Sequence, residues 1–367
     1  MQDPDDLLDQ SQPPAPTVGD VAEAAGVSRM TVSNVINNPH RVSEATRKRV
    51  EDTIAMLGYQ PNRAARALRV QASRLIGCRI EPFGEDSLAS INDRFLHALA
   101  EAGREADHYL LMFTADNPEE EVEACRKLFR TSGVDGFVLY GINYGDLRPK
   151  GLQDLGAPFV AFGRNQPEPA HPWIDVDNRS GTAAAVDHLV ALGHRRVAFL
   201  GWAAGDQVGD YRAEGWQAAM QSHGLLADCR DLDIRAEDTT GSSARACFDL
   251  LDRDEPPTAI VAASDTIAVG AVQAAQSRGL AVGSDLAVVG FDDTPTARVL
   301  HISSVRQPLE LVARAIVHEL LNLLPGTPAT RDGEHNRRRD DAHPPAGRLL
   351  KPNLVIRASS AAPARQA

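Results

Sequence analysis

The sequence predicts an α/β protein: a small all-α module near the N-terminus, then a large body of parallel sheets covered by helices. Three observations lead there. Between Val18 and Leu57 apolar residues recur at helical spacing with no strand-like run. From Leu75 onward, short apolar runs alternate with amphipathic stretches, the pattern of βαβ units. The charge divides at the same place. Residues 17–70 carry eight Lys and Arg against five acids, a net of +3, while the first sixteen residues sum to −4 and the remainder to −11.

The 367 residues are enough for two or three domains with a substantial core, and 43% hydrophobic with 24% charged residues describes a globular chain. No apolar run approaches the roughly 20 residues a bilayer span needs, so no membrane contact is expected. Residues 1–16 carry Asp3, Asp5, Asp6 and Asp9 without Lys or Arg. They read as a disordered tail, not a secretory signal, and a cytoplasmic location is expected. Cys78, Cys125, Cys229 and Cys247 are far apart in sequence, which indicates buried thiols and no zinc knuckle. No phosphate loop, dinucleotide fingerprint, nucleophile elbow or H-E-x-x-H occurs, so neither an enzyme nor a cofactor is expected. His335 and His343 fall in a charged, proline-rich insert, 325–345, that reads as a surface loop without a metal.

In the head, Val18–Ala24 reads as a short helix and Gly26 as a turn requiring positive φ. Ser28 is placed to cap a second helix. Val32, Val35 and Ile36 recur at i, i+3, i+4 and turn inward toward Val21, Ala22 and Ala25, leaving Arg29, Met30, Ser33 and Asn34 outside. Ser43 opens a third helix with Val50, Ile54 and Leu57 on one face, closed by Gly58 and Pro61. A short turn joining two helices, the second presenting Arg, Met and Asn near its start, is helix-turn-helix geometry. A basic head on an acidic body directs contact with a polyanion to one end.

The run Thr17 to Arg69, with V-A-x-x-A-G-V-S-x-x-T-V-S-x-V-I-N from Val21 to Asn37 and G-Y-x-P-N-x-x-A-R-x-L from Gly58 to Leu68, closely resembles the DNA-binding head of the LacI/GalR family of bacterial transcription regulators. The resemblance implies that the second helix enters the major groove of a palindromic operator, that Arg29, Met30 and Asn34 read bases, and that Thr31 and Ser33 touch phosphates. Arg suits guanine, Asn suits adenine, and Met offers only apolar contact. Residues 62–73 are expected as a hinge helix and linker, too short to be stable alone. The family implies that Asn62, Arg66 and Leu68 contact DNA there, with a pair of Leu68 side chains wedged into the central base step.

In the body, strand-like runs lie at Leu75–Ile80, Tyr109–Phe113, Gly136–Tyr140, Phe159–Phe162, Val197–Leu200, Ala259–Ala263 and Leu286–Gly290. Continued resemblance implies a periplasmic-binding-protein-like domain, 74–357. Its two Rossmann-like lobes are expected near 74–175 and 176–303, with a recrossing between Leu300 and Arg306. A last strand, Leu349–Ile356, is expected in the second lobe, and 358–367 as a disordered tail. Ligands of open α/β sheets sit beyond the carboxyl ends of the strands. That rule nominates Glu81, Arg164, Trp202, Ser264, Asp265 and Asp292. The resemblance adds Arg212 and implies that Arg212, Ser264 and Asp292 are effector-contacting positions, with Ser264 departing from the common Asn. Carboxylates, an arginine fork and an indole face suit a polyhydroxylated ring. The expectation is a homodimeric repressor, its head at 17–61, bound to double-stranded DNA and controlled by a small effector, a sugar first and a nucleobase second. A transport-type solute-binding protein shares the lobes but has no use for Val21–Leu68, and a sugar kinase needs a phosphate loop.

Overall fold

The computed structural model describes residues 16–37, 39–59, 73–80, 91–131, 133–324 and 347–361. Asn62, Arg66, Leu68, Glu81 and the insert 325–345 lie outside the described residues. The chain divides into two compact units, Met1–Ser73 and Arg74–Ala367.

The first unit holds α1 (Val18–Ala24), α2 (Arg29–Asn37), a short 3-10 turn at 39–41 and α3 (Glu44–Leu57). Its helix ends are set by local chemistry. The Asp20 carboxylate accepts the Thr17 backbone N–H at 2.7 Å, and the Thr17 hydroxyl accepts the Asp20 N–H in return. Ser28 accepts the Thr31 N–H at 3.1 Å. Gly58, at φ +64°, ends α3 in the left-handed conformation. The core is Val21, Ala22, Ala25, Val32, Val35, Val50 and Tyr59, with Ile36, Ile54 and Leu57 packed around it.

The second unit contains two lobes built alike. The first comprises β1 (Leu75–Ile80), α4 (Ile91–Glu105), β2 (Tyr109–Thr114), α5 (Pro118–Thr131), β3 (Gly136–Leu139), α6 (Arg148–Leu155), β4 (Phe159–Phe162) and β5 (Trp173–Val176). The second follows with α7 (Asn178–Ala191), β6 (Val197–Gly201), α8 (Gln207–Ser222), α9 (Leu226–Cys229), β7 (Asp233–Arg235), α10 (Thr240–Leu251), β8 (Ala259–Ala262), α11 (Asp265–Ser277), β9 (Ala287–Phe291), α12 (Pro295–Val299) and β10 (Ser303–Arg306). The chain then returns through α13 (Leu309–Leu323), β11 (Gly347–Leu350) and β12 (Asn353–Val355). The sheets run β11-β5-β4-β3-β1-β2 and β12-β10-β9-β8-β6-β7. All pairings are parallel except β10 with β12. Buried on both faces, β3, β6, β8 and β9 are the continuous apolar runs that were legible in the sequence.

Three details correct the expectation. The strand Ser303–Arg306 pairs with β9 in the second sheet, so the recrossing falls after Arg306, and α13 packs Leu309, Val312 and Ile316 into the first-lobe core. The run expected as one strand at 349–356 is two. Pro352 has no N–H for a ladder, and the chain bends there, giving β11 to the first sheet and β12 to the second. Residues 358–361 are not a tail but part of the second lobe. Ser359 Oγ accepts the Ser303 N–H at 2.7 Å, its carbonyl accepts the Val288 N–H at 2.8 Å, and the Ala361 carbonyl lies 2.7 Å from His194 Nε2. Short polar residues satisfy sheet-edge backbone groups that would otherwise be buried without partners.

The four cysteines are free and buried, as expected. Burial pushes the Cys125 and Cys247 thiols up to about 12, which leaves them protonated and inert. Helices α7 and α8 cross where Gly215 has no side chain, and a Cβ there would stand 2.3 Å from the Arg179 carbonyl oxygen. Gly215→Ala is therefore expected to force the helices apart and cost about 1–3 kcal/mol, readable as a lowered denaturant midpoint.

Candidate functional site

In the head, the exposed face of α2 presents Arg29 and Met30, with Met30 70% exposed, while Thr31, Ser33 and Asn34 are half-buried beside them. Arg29 lies along the first turn of α1. A Cβ on Gly19 would sit 3.0 Å from its Nη2, so a side chain there would push the guanidinium aside. The Thr31 hydroxyl is 2.9 Å from that of Ser28, which fixes its rotamer at the helix start. The five candidate DNA contacts of α2 thus lie within six consecutive residues of one helix, on the side away from Val32 and Val35. Arg29→Ala is expected to lower discrimination between sites by about 1–3 kcal/mol, read by competing specific against scrambled duplex.

In the body, the carboxyl ends of both sheets carry Arg164, Trp202, Ser264, Asp265 and Asp292, with Arg212 on the helix that follows β6. Arg212, on the second turn of α8, is 2% exposed. Its Nε donates to Asn178 Oδ1 at 2.9 Å, its Nη1 to the Ala263 carbonyl, and its Nη2 lies 3.5 Å from Asp292 Oδ1. The guanidinium rests 3.7 Å from the Phe291 ring centroid and 5.1 Å from that of Trp202. Burial pulls the Arg212 pKa below its ordinary value against the opposing pull of Asp292, Asp238, Asp206 and Asp265. Asp292 also accepts from Gln307 Nε2 at 2.7 Å and holds φ +105°, a conformation rarely adopted by a residue with a side chain. Ser264 caps α11, accepting the Ile267 N–H at 3.1 Å and donating to Asp238 Oδ1. Arg164, from the first lobe, pairs with Asp175 at 2.9 Å and stacks between Trp173 and Tyr211.

Trp202, Arg212, Ser264 and Asp292 therefore converge, whereas Asp265 faces inward. Its oxygens accept the Ser304 hydroxyl and the Thr294 N–H, both at 2.6 Å, joining the ends of β8, β9 and β10. Burial, reinforced by Asp292, lifts its pKa to about 7. Sequence reasoning missed Asp238, whose carboxylate accepts the Ser264 hydroxyl and whose pKa is raised by desolvation and by Asp292. Its strand, β7, has three residues and no apolar run to announce it. Gln307 and Asn178 were missed for the same reason: neither follows a strand that the pattern revealed. The Gln207 side-chain Oε1 is buried and meets no hydrogen-bonding partner among the described residues.

Among the described residues no helix is long and apolar enough to cross a membrane. Residues 17–62 match the family of bacterial regulatory proteins of the lacI type, and residues 186–360 match a periplasmic binding protein-like domain. The HTH-type transcriptional regulator CelR of Thermobifida fusca is 33% identical over 320 residues, covering 85% of this chain and 92% of that protein. A solved transcriptional regulator CelR–cellobiose complex superposes with TM-score 0.67 at 29% identity, over 94% of this chain and 99% of that one. The lac repressor dimer bound to operator and the anti-inducer ONPF gives TM-score 0.75 at 27% identity, over 95% and 99%. These relatives regulate transcription and are not enzymes. With the head helices, the paired lobes and a relative alignable across nearly its whole length, the chain belongs to the lacI family of DNA-binding bacterial transcription regulators.

Proposed function

We propose that this regulator is a homodimeric repressor of a palindromic operator whose hold on DNA is set by a small uncharged sugar bound between the lobes. The observation that carries the reading is the buried Arg212 guanidinium 3.5 Å from Asp292, with the Trp202 indole over it and the Asp238 carboxylate on Ser264. Carboxylates accept from vicinal hydroxyls, the fork orients them, and the indole covers a C–H face. Arg29, Met30 and Asn34 would read bases, with Thr31 and Ser33 on phosphates. A cellobiose complex of CelR and an operator-bound lac repressor dimer among the similar structures support this reading. Exposed Tyr109 and Met112, on opposite faces of edge strand β2, are consistent with a second copy covering that edge of the sheet.

To swing operator occupancy from 99:1 to 1:99, the effector must prefer one state by about 5.5 kcal/mol. A thermal-shift screen of neutral mono- and disaccharides, cellobiose among them, against purine and pyrimidine bases tests the ligand class. A sugar should raise the melting temperature and alter operator binding. Stabilisation by bases alone would overturn the sugar assignment while leaving the regulator intact.

A further inference from the structure

We propose that Arg94 and Asn143 form a two-point latch across the lobes, and that the Asp292–Asp293 turn ties this latch to the effector cleft. Arg94 belongs to α4 of the first lobe. Its Nη1 donates to the Asp292 carbonyl at 2.8 Å and to the Asp293 carbonyl at 3.1 Å, both in the second lobe. Asn143, after β3 of the first lobe, accepts the Gln207 backbone N–H through Oδ1 at 3.0 Å. Gln207 opens α8, so its N–H has no acceptor within its own helix, and the first lobe supplies one.

The two points are held by separate supports. Asp292 and Asp293 have φ +105° and +52°, which turns their carbonyls out of the sheet. Their side chains anchor them on the second lobe: Asp292 to Arg212 and Gln307, Asp293 to Arg298, Arg306 and Arg357. The chain leading into Asn143 is held by the Arg148 guanidinium, which donates to the Tyr140 and Gly141 carbonyls at 3.2 and 2.8 Å while paired with buried Glu121 and with Asp146. Asp292 therefore offers its side chain to the cleft and its carbonyl to the opposite lobe. A ligand that moves the side chain moves the acceptor of the latch. Arg94 acts through Asp292 as a positioning residue and does not itself need to touch the ligand.

The Gln207 amide reports closure without any ligand. Hydrogen exchange on the full-length, effector-free chain should show Gln207 protected relative to the unstructured rate. Asn143→Ala should accelerate it, and Arg94→Ala, at the other point of the latch, should accelerate it about tenfold while the amides of Trp216 to Met220 on the same helix keep their wild-type rates. Arg94→Lys, able to meet one carbonyl, should fall between. Unchanged exchange at Gln207 in Arg94→Ala would overturn the latch, as would acceleration spread evenly along α8, which would mark Arg94 as a plain stability residue. An Asn143→Ala chain with unaltered exchange at Gln207 would remove the second point.

Discussion

Arg212→Ala is expected to abolish the effector response while operator binding persists. The side chain is 2% exposed and holds Asn178, the Ala263 carbonyl and Asp292 together, so its loss leaves a buried carboxylate without its cation. Removing one partner of such a pair costs about 3–5 kcal/mol of stability. Each lost hydrogen bond to a charged group costs about 1.5–3 kcal/mol of ligand affinity, tenfold or more. Arg212→Lys keeps the charge but not the planar fork, and should recover part of the stability with little of the response. Operator retention titrated with the sugar that stabilises the wild type is the readout. A variant that responds at the normal ligand concentration would remove Arg212 from the site.

Asp293→Asn should markedly destabilise the second lobe. The carboxylate is fully buried and meets Arg306 at 2.6 Å, Arg298 at 3.0 Å and Arg357 at 2.5 Å. Burial pulls its pKa upward, but the hydrogen bonds from Arg357, Arg306 and Arg298 outweigh that and hold it below the ordinary carboxylate value. Since Arg298 and Arg306 are half-exposed, the expected cost is about 2–4 kcal/mol. A depressed pKa contributes stability that is complete above the unfolded value near 4 and is lost as pH falls through the folded value. The difference between wild type and Asp293→Asn should therefore be full at pH 7 and shrink below pH 4. A difference independent of pH would assign the loss to packing.

The head helices were legible because the signals in them are local: caps at Ser28 and Ser43, left-handed glycines at 26 and 58, and a three-to-four spacing of Val32, Val35 and Ile36. The central strands were legible because burial on both faces demands apolar runs. Edge elements carry no such demand. β7 is Asp-Ile-Arg, and β10 begins with two serines whose hydroxyls serve Arg357 and Asp265. The strand-end rule found Trp202, Ser264 and Asp292 because each follows a visible run, and it missed Asp238 because β7 is not one. It also nominated Asp265, which sits at a strand end but points back into the lobe. Direction along a helix start is set by tertiary hydrogen bonds with Thr294 and Ser304, 29 and 39 residues away, which spacing does not reveal.

The most direct measurement is equilibrium binding of the full-length chain to an inverted-repeat duplex selected from random sequence, followed across salt concentration beside a scrambled duplex. The expected result is a two-to-one complex that prefers the repeat, a logarithmic salt slope of roughly −0.9 per neutralised phosphate, and a shift in affinity when the stabilising sugar is added. A chain that stays monomeric and binds both duplexes equally, with or without that sugar, would contradict control of an operator by a ligand in the cleft.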